Sequence, residues 1–120
     1  MVGATDTATV EPEPTPAEQP LSVRGLREDE RAAYEREIRS HLSIEVTRDR
    51  EPELWKQVER LKAAPGDKGE LRKVLRLENG VIEYRTLGGR FSNGNGYGAY
   101  ARATREGDGW LILTRGRWIN

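Results

Sequence analysis

One hundred and twenty residues with twenty Lys and Arg, twenty Asp and Glu, one His and no Cys make a chain of one domain's size at zero formal charge. No disulfide framework or thiolate zinc site can form, a single His cannot supply a two-His metal centre, and the longest apolar run, Trp110 to Leu113, is far short of a membrane span. The N-terminus lacks a basic segment followed by an apolar one, so the sequence reads as soluble and cytoplasmic, with no membrane partner.

The zero is a sum of unlike parts. Residues 1–23 carry Asp6, Glu11, Glu13 and Glu18 with no Lys or Arg, a charge of −4. Residues 24–64 balance ten acids against ten bases, and residues 65–120 hold ten bases against six acids, a charge of +4. Such segregation bears on partners, though not on fold. The first segment also holds four of the six prolines, in Glu11-Pro12-Glu13-Pro14-Thr15-Pro16 and at Pro20, and has no aromatic residue. With too little apolar surface to offset ordering entropy, 1–23 reads as a disordered or extended acidic arm, ahead of a single α+β domain over 24–120.

Within that domain Tyr34, Ile38 and Leu42 recur at four-residue spacing, which predicts an amphipathic helix over roughly 27–42. Leu42, Ile44 and Val46 alternate and hint at a short strand. Pro52, suited to a first helical turn, opens a second helix whose face is Leu54, Trp55, Val58 and Leu61 and which stops at Ala64-Pro65-Gly66. Leu71 to Glu78, Asn79-Gly80 and Val81 to Leu87 then predict a hairpin with Leu77 opposite Ile82, Leu75 opposite Tyr84 and Arg76 opposite Glu83. Residues 88–98 form a glycine-dense connection. A second hairpin follows over 97–119, turning at Glu106-Gly107-Asp108-Gly109 and placing Ala103, Ala101 and Ala99 across from Ile112, Thr114 and Gly116. Its reverse face would carry Tyr100 and Arg102 beside Arg115 and Arg117.

The order of elements predicts an α+β fold: two N-terminal helices packed on one face of a four-stranded antiparallel sheet made of two hairpins, with 42–46 as the candidate fifth strand. The closing Asp108-Gly109-Trp110-Leu111-Ile112 resembles the last hairpin of cystatin-like or nuclear-transport-factor-like cones, over about a tenth of the chain. That resemblance implies a ligand pocket between helices and sheet and assigns no residue.

Little points to catalysis. His41 lies beside the stripe of the first helix, where a core or boundary histidine is the simpler reading, and no nucleophile–base pair, metal set or cofactor fingerprint emerges. Gly94, Gly96 and Gly98 could let backbone amides cradle a phosphate, but a phosphate loop needs a following helix and strand follows here, so a plain connection explains them better. The basic and aromatic mixture of the last third is more informative. Arg90, Phe91, Tyr100, Arg102, Arg115 and Arg117 form the candidate binding set. The leading expectation is a non-enzymatic interaction or assembly protein, in which this basic, aromatic-bearing sheet face and the acidic arm meet a protein partner or other subunits. The alternatives are a single-stranded nucleic-acid-binding domain, with guanidinium groups on phosphates and rings under bases, and the cone with a ligand pocket.

Overall fold

A computed structural model describes residues 21–120; the expected acidic arm lies outside the described residues up to position 20, and Leu21 and Val23 pack against the core. The elements in chain order are β1 (Val23–Gly25), a 3-10 turn (Glu28–Glu30), α1 (Arg31–Ile38), β2 (Ile44–Glu45), α2 (Pro52–Ala63), β3 (Glu70–Arg76), a second 3-10 turn (Glu78–Gly80), β4 (Ile82–Arg90), β5 (Gly96–Glu106) and β6 (Gly109–Ile119). All six strands join one sheet in the order β1-β6-β5-β4-β3-β2. β1 runs parallel to β6, and every other pair is antiparallel. The sheet is therefore mixed and six-stranded, which corrects the expected four- or five-stranded antiparallel sheet. The cause of the difference is β1, three residues long and too short to show a period of two.

The helices also part company. α2 lays Trp55, Val58 and Leu61 on Val74, Ile82, Tyr84, Ala101, Ala103 and Ile112. Tyr34 and Ile38 of α1 pack with Val81, Leu111 and Leu113 in a separate core. Alternate residues of β6 feed the two cores, so the helices cover opposite faces, not one face as expected. A strand buried on both faces reads as a continuous apolar run, and Trp110 to Leu113 is such a run. The small side chains of Ala101 and Ala103 do let a helix approach, and that helix is α2.

α2 begins at Pro52, as its sequence predicts, and its Trp55 donates its indole N–H to the Val46 carbonyl at 2.8 Å. α1 is shorter than the predicted 27–42. It ends at Ile38, where the Arg102 guanidinium donates to the carbonyls of Glu37 and Ile38, a cation placed at the negative end of the helix. The segment after it leaves His41 and Leu42 exposed, and the fifth-strand candidate over 42–46 shrinks to Ile44–Glu45.

β3 to β6 form one continuous meander rather than two separate hairpins, because β4 and β5 pair from Ile82–Ala103 down to Arg90–Gly96. The supposed connection over 88–98 is mostly strand and narrows to five residues at Phe91–Asn95. In the first hairpin Asn79 and Gly80 do take positive φ, 59° and 77°. Yet the register is one residue from that predicted: Arg76 pairs with Ile82, Leu75 with Glu83 and Val74 with Tyr84. Segregating apolar pairs to one face cannot fix the register of strands buried on both. The expected Arg76–Glu83 ion pair is absent accordingly; Arg76 bonds Glu51, and Glu83 receives Arg85 and Arg102.

The second hairpin starts as predicted, with Ala103 opposite Ile112. A β-bulge then places Arg102 opposite Thr114, which moves Ala101 to Arg115, Ala99 to Arg117 and Gly98 to Trp118. One extra residue turns every later side chain of β6 to the other face.

β1 is tied down by charge. The Arg24 guanidinium bonds Glu30 at 2.8 Å and Glu106 at 2.6 Å, joining the first strand, the turn before α1 and the end of β5. Arg24, and then the Arg27 backbone N–H, hold the Glu30 carboxyl down at about 2, from an ordinary 4.5. Arg24 lowers Glu106 as well. A carboxyl depressed in the folded state contributes stability above its unfolded pKa and loses that contribution as pH falls through the folded one. Acid unfolding between pH 4.5 and about 2 is therefore expected to be shallower in Glu30→Gln than in the native protein, measured by urea titration across that window. An unchanged pH slope would show that Glu30 is not part of the acid response.

Candidate functional site

The α1-side core lies toward the end of the sheet that holds the Glu78–Gly80 turn, whereas Leu71 carries the α2-side core to the opposite end. At that opposite end lie the start of β3, the end of β4, the start of β5 and the end of β6. Lys68, Arg72, Lys73, Arg85, Arg90, Arg115 and Arg117 belong to it, with Asp67 and Glu70 as acids. The charge is thus polarised along the strands, a distribution that favours anions over a few ångströms to a Debye length of about 10 Å.

On the α1 side the floor is made by two rings. Tyr100 pairs with Gly116, and Trp118 pairs with Gly98, so each ring meets a glycine across the ladder. A Cβ on Gly116 would stand 2.5 Å from the Tyr100 ring, and one on Gly96 would stand 3.4 Å from that of Trp118. The rings therefore lie across the glycines, and this is what the glycine density of β5 and β6 is for in packing terms. Trp118 is pinned further by its indole N–H, which crosses β5 to donate to the Thr86 carbonyl at 2.9 Å. Two adjoining hollows of about 360 and 630 Å3 share Trp118 and Arg85 as walls. Arg102 lines the first, and Arg72, Lys73 and Arg90 line the second.

Beneath the first hollow sits Glu83, 3% exposed, accepting from Arg85 Nε at 2.7 Å and Arg102 Nε at 2.9 Å. Two guanidinium groups on one carboxylate leave a net positive charge at the surface. Lys73 forms no ion pair among the described residues, and Arg90 donates only to the Gly94 carbonyl at 3.3 Å. Arg72 is matched by Glu70 at 2.7 Å.

No family model matches this chain, nor does any curated protein or solved structure.

On the α2 side a third hollow of about 530 Å3 lies between the Pro65–Lys68 loop and the outer half of β4, β5 and β6. Tyr84, Thr86, Ala99 and Ala101 line it, with Lys68, Arg115 and Arg117. Asp67, which also lines it, accepts the Gly69 N–H at 2.8 Å and the Thr86 hydroxyl at 2.9 Å. Tyr97 lines this hollow too, and its ring lies 5.0 Å from that of Phe91, the two forming an exposed aromatic pair at the tip of the β4–β5 hairpin.

The six residues predicted from sequence are thus divided between faces. Arg102 and Arg90 line the α1-side hollows, Tyr100 borders hollows on both sides, and Arg115 and Arg117 line the α2-side one, with Phe91 beside Tyr97 at the tip. The bulge before Thr114 is what separates Arg115 and Arg117 from Tyr100 and Arg102. Trp118, Lys73 and Arg85, none of them in the set predicted from sequence, join the α1-side residues. Glycines placed two residues apart opposite aromatic residues are the signal that could have found Trp118.

Proposed function

We propose that this domain is a non-enzymatic binding module that takes single-stranded nucleic acid along its α1-side hollows. The observation that carries this reading is Trp118, held flat across β5 between two hollows whose walls bear cations. Fixed rings supply stacking surfaces without an ordering cost at binding, and Lys73, Arg85 and Arg90 stand where a bound strand's phosphates would pass. An acidic protein surface, the partner in an interaction or assembly role, would use the cations and gain little from the rings.

Fluorescence anisotropy with a short labelled oligothymidylate tests the reading. Binding at low salt is expected, with log K falling against log salt at a slope of about −2 to −3, as about three to four neutralised phosphates require. Trp118→Leu is expected to weaken binding about tenfold, from a stacking contribution of about 1–3 kcal/mol per base. Absence of binding at low salt overturns the proposal. So does equal affinity for polyglutamate with no effect of Trp118→Leu, a result that would assign the face to an acidic protein partner.

A further inference from the structure

The α2-side hollow has a different chemistry from the α1-side track. Its floor consists of Tyr84, Ala99 and Ala101, so depth comes from small residues on β5. Tyr84 is 3% exposed, yet its hydroxyl makes no hydrogen bond to any described residue. Its oxygen is not a fully buried orphan but opens to the hollow, where a ligand atom can take its O–H in place of water. Burial pushes the Tyr84 pKa up to about 12 against the opposing effect of Arg115, so the group is a neutral O–H donor at neutral pH.

The other polar groups are nearly all donors. Arg115, Arg117 and Lys68 line the hollow, and none forms an ion pair with a described residue. Asp67 already accepts the Gly69 N–H and the Thr86 hydroxyl. Three cations and one hydroxyl against the single carboxylate of Asp67 leave net positive charge around a space of about 530 Å3, which favours an anion with several oxygens, within a volume ordinary for a small ligand. A monocarboxylate would occupy one guanidinium and leave the others unmatched. A phosphate group offers enough oxygens for both guanidinium groups and the phenol, and a second negative charge for the lysine.

We propose that the α2-side hollow binds a phosphate group, free or as the monoester of a small molecule, with Arg115 and Arg117 on its oxygens, Lys68 at the rim and Tyr84 donating from the floor. The site lies on the opposite face from Trp118 and does not rest on the nucleic-acid reading.

Amide NMR titration of the full chain tests this, with inorganic phosphate, then glycerol phosphate, then glycerol, all at constant ionic strength set with chloride. Saturable shifts at Thr86, Ala99, Ala101 and Arg115 are expected with both phosphates and not with glycerol or chloride. Arg115→Gln is expected to weaken phosphate binding about tenfold or more, the usual weight of a charge-assisted bond. Tyr84→Phe is expected to weaken it several-fold while leaving the urea midpoint of the ligand-free protein unlowered, since no internal hydrogen bond is lost. Lys56→Gln, on the exposed surface of α2 and outside every hollow, is expected to change nothing. Tighter binding of glycerol phosphate identifies a monoester as the ligand class, and equal or weaker binding identifies free phosphate. The proposal is overturned if chloride or glycerol produces the same shifts, or if folded Arg115→Gln binds phosphate as tightly as the native protein.

Discussion

Replacing Glu83 by alanine is expected to destabilise the domain by about 3–5 kcal/mol, the range observed when one partner of a buried ion pair is removed. The carboxylate side chain is 4% exposed and holds Arg102, itself 18% exposed, against the C-terminal carbonyls of α1. Without it the Arg102 charge stays where water reaches poorly, facing Arg85 with no anion between them. The attraction gained by such a pair is largely offset by desolvation, so the loss comes from the stranded charge rather than from the pair's net worth. The double variant Glu83→Leu with Arg102→Met is therefore expected to recover most of what Glu83→Ala loses. Urea midpoints of the three proteins measure both effects. A loss below about 1 kcal/mol in Glu83→Ala would place the triad among surface pairs, which contribute little.

The second large effect is expected at Gly98. An alanine Cβ there would lie 1.8 Å from the Thr86 carbonyl oxygen and 2.9 Å from Trp118 Nε1, the two groups that hydrogen-bond to each other. The obstacle is backbone, which cannot turn aside as a flexible side chain can, so strand β5 must shift or the Trp118 contact must break. Overpacking costs about 1–3 kcal/mol and the lost bond about 1 more, giving about 2–4 kcal/mol in all. The near-ultraviolet tryptophan signal is expected to change with it. Gly25→Ala serves as the comparison, because nothing stands within 4 Å of its Cβ and its φ is not positive. That substitution is expected to fall within about 0.5 kcal/mol of the native protein. Equal stability of the two variants would show that Trp118 does not depend on the glycine beneath it.

Both effects concern features that periodicity did not reveal, and the reason is the same in each. α2 was legible because Leu54, Trp55, Val58 and Leu61 bury one stripe and the remaining positions are polar. β3 and β4 lie between two helices, so Leu75 and Val74 are both buried and a slip of one residue breaks no visible pattern. The bulge at Leu113 sits inside four consecutive apolar residues, with no glycine or proline to mark it. The same bulge decides the site: strict alternation sets Arg115 and Arg117 beside Tyr100, and the extra residue turns them to the opposite face. The glycines were conspicuous in the sequence, but their meaning depends on partners in the neighbouring strand. Gly98 acquires its role only once Trp118 is known to stand across from it. The basic character of the last third was legible from composition. Its division into two surfaces was not, since one residue's shift in a ladder leaves composition unchanged.

The parallel pairing of β1 with β6 sets an order of events during synthesis. Val23 and Gly25 lie along Trp110 and Ile112, so the first strand described has no partner until the last has been made. The meander of β3 to β6 can pair neighbour by neighbour as it leaves the ribosome. β1 must wait, with Leu21 and Val23 uncovered, and then close the longest loop in the fold. Loop-closure entropy grows only slowly with length, so the delay affects rate more than final stability. Until that closure the β6 edge stays open to other chains, and the interval is when a strand from a second molecule could take the place of β1.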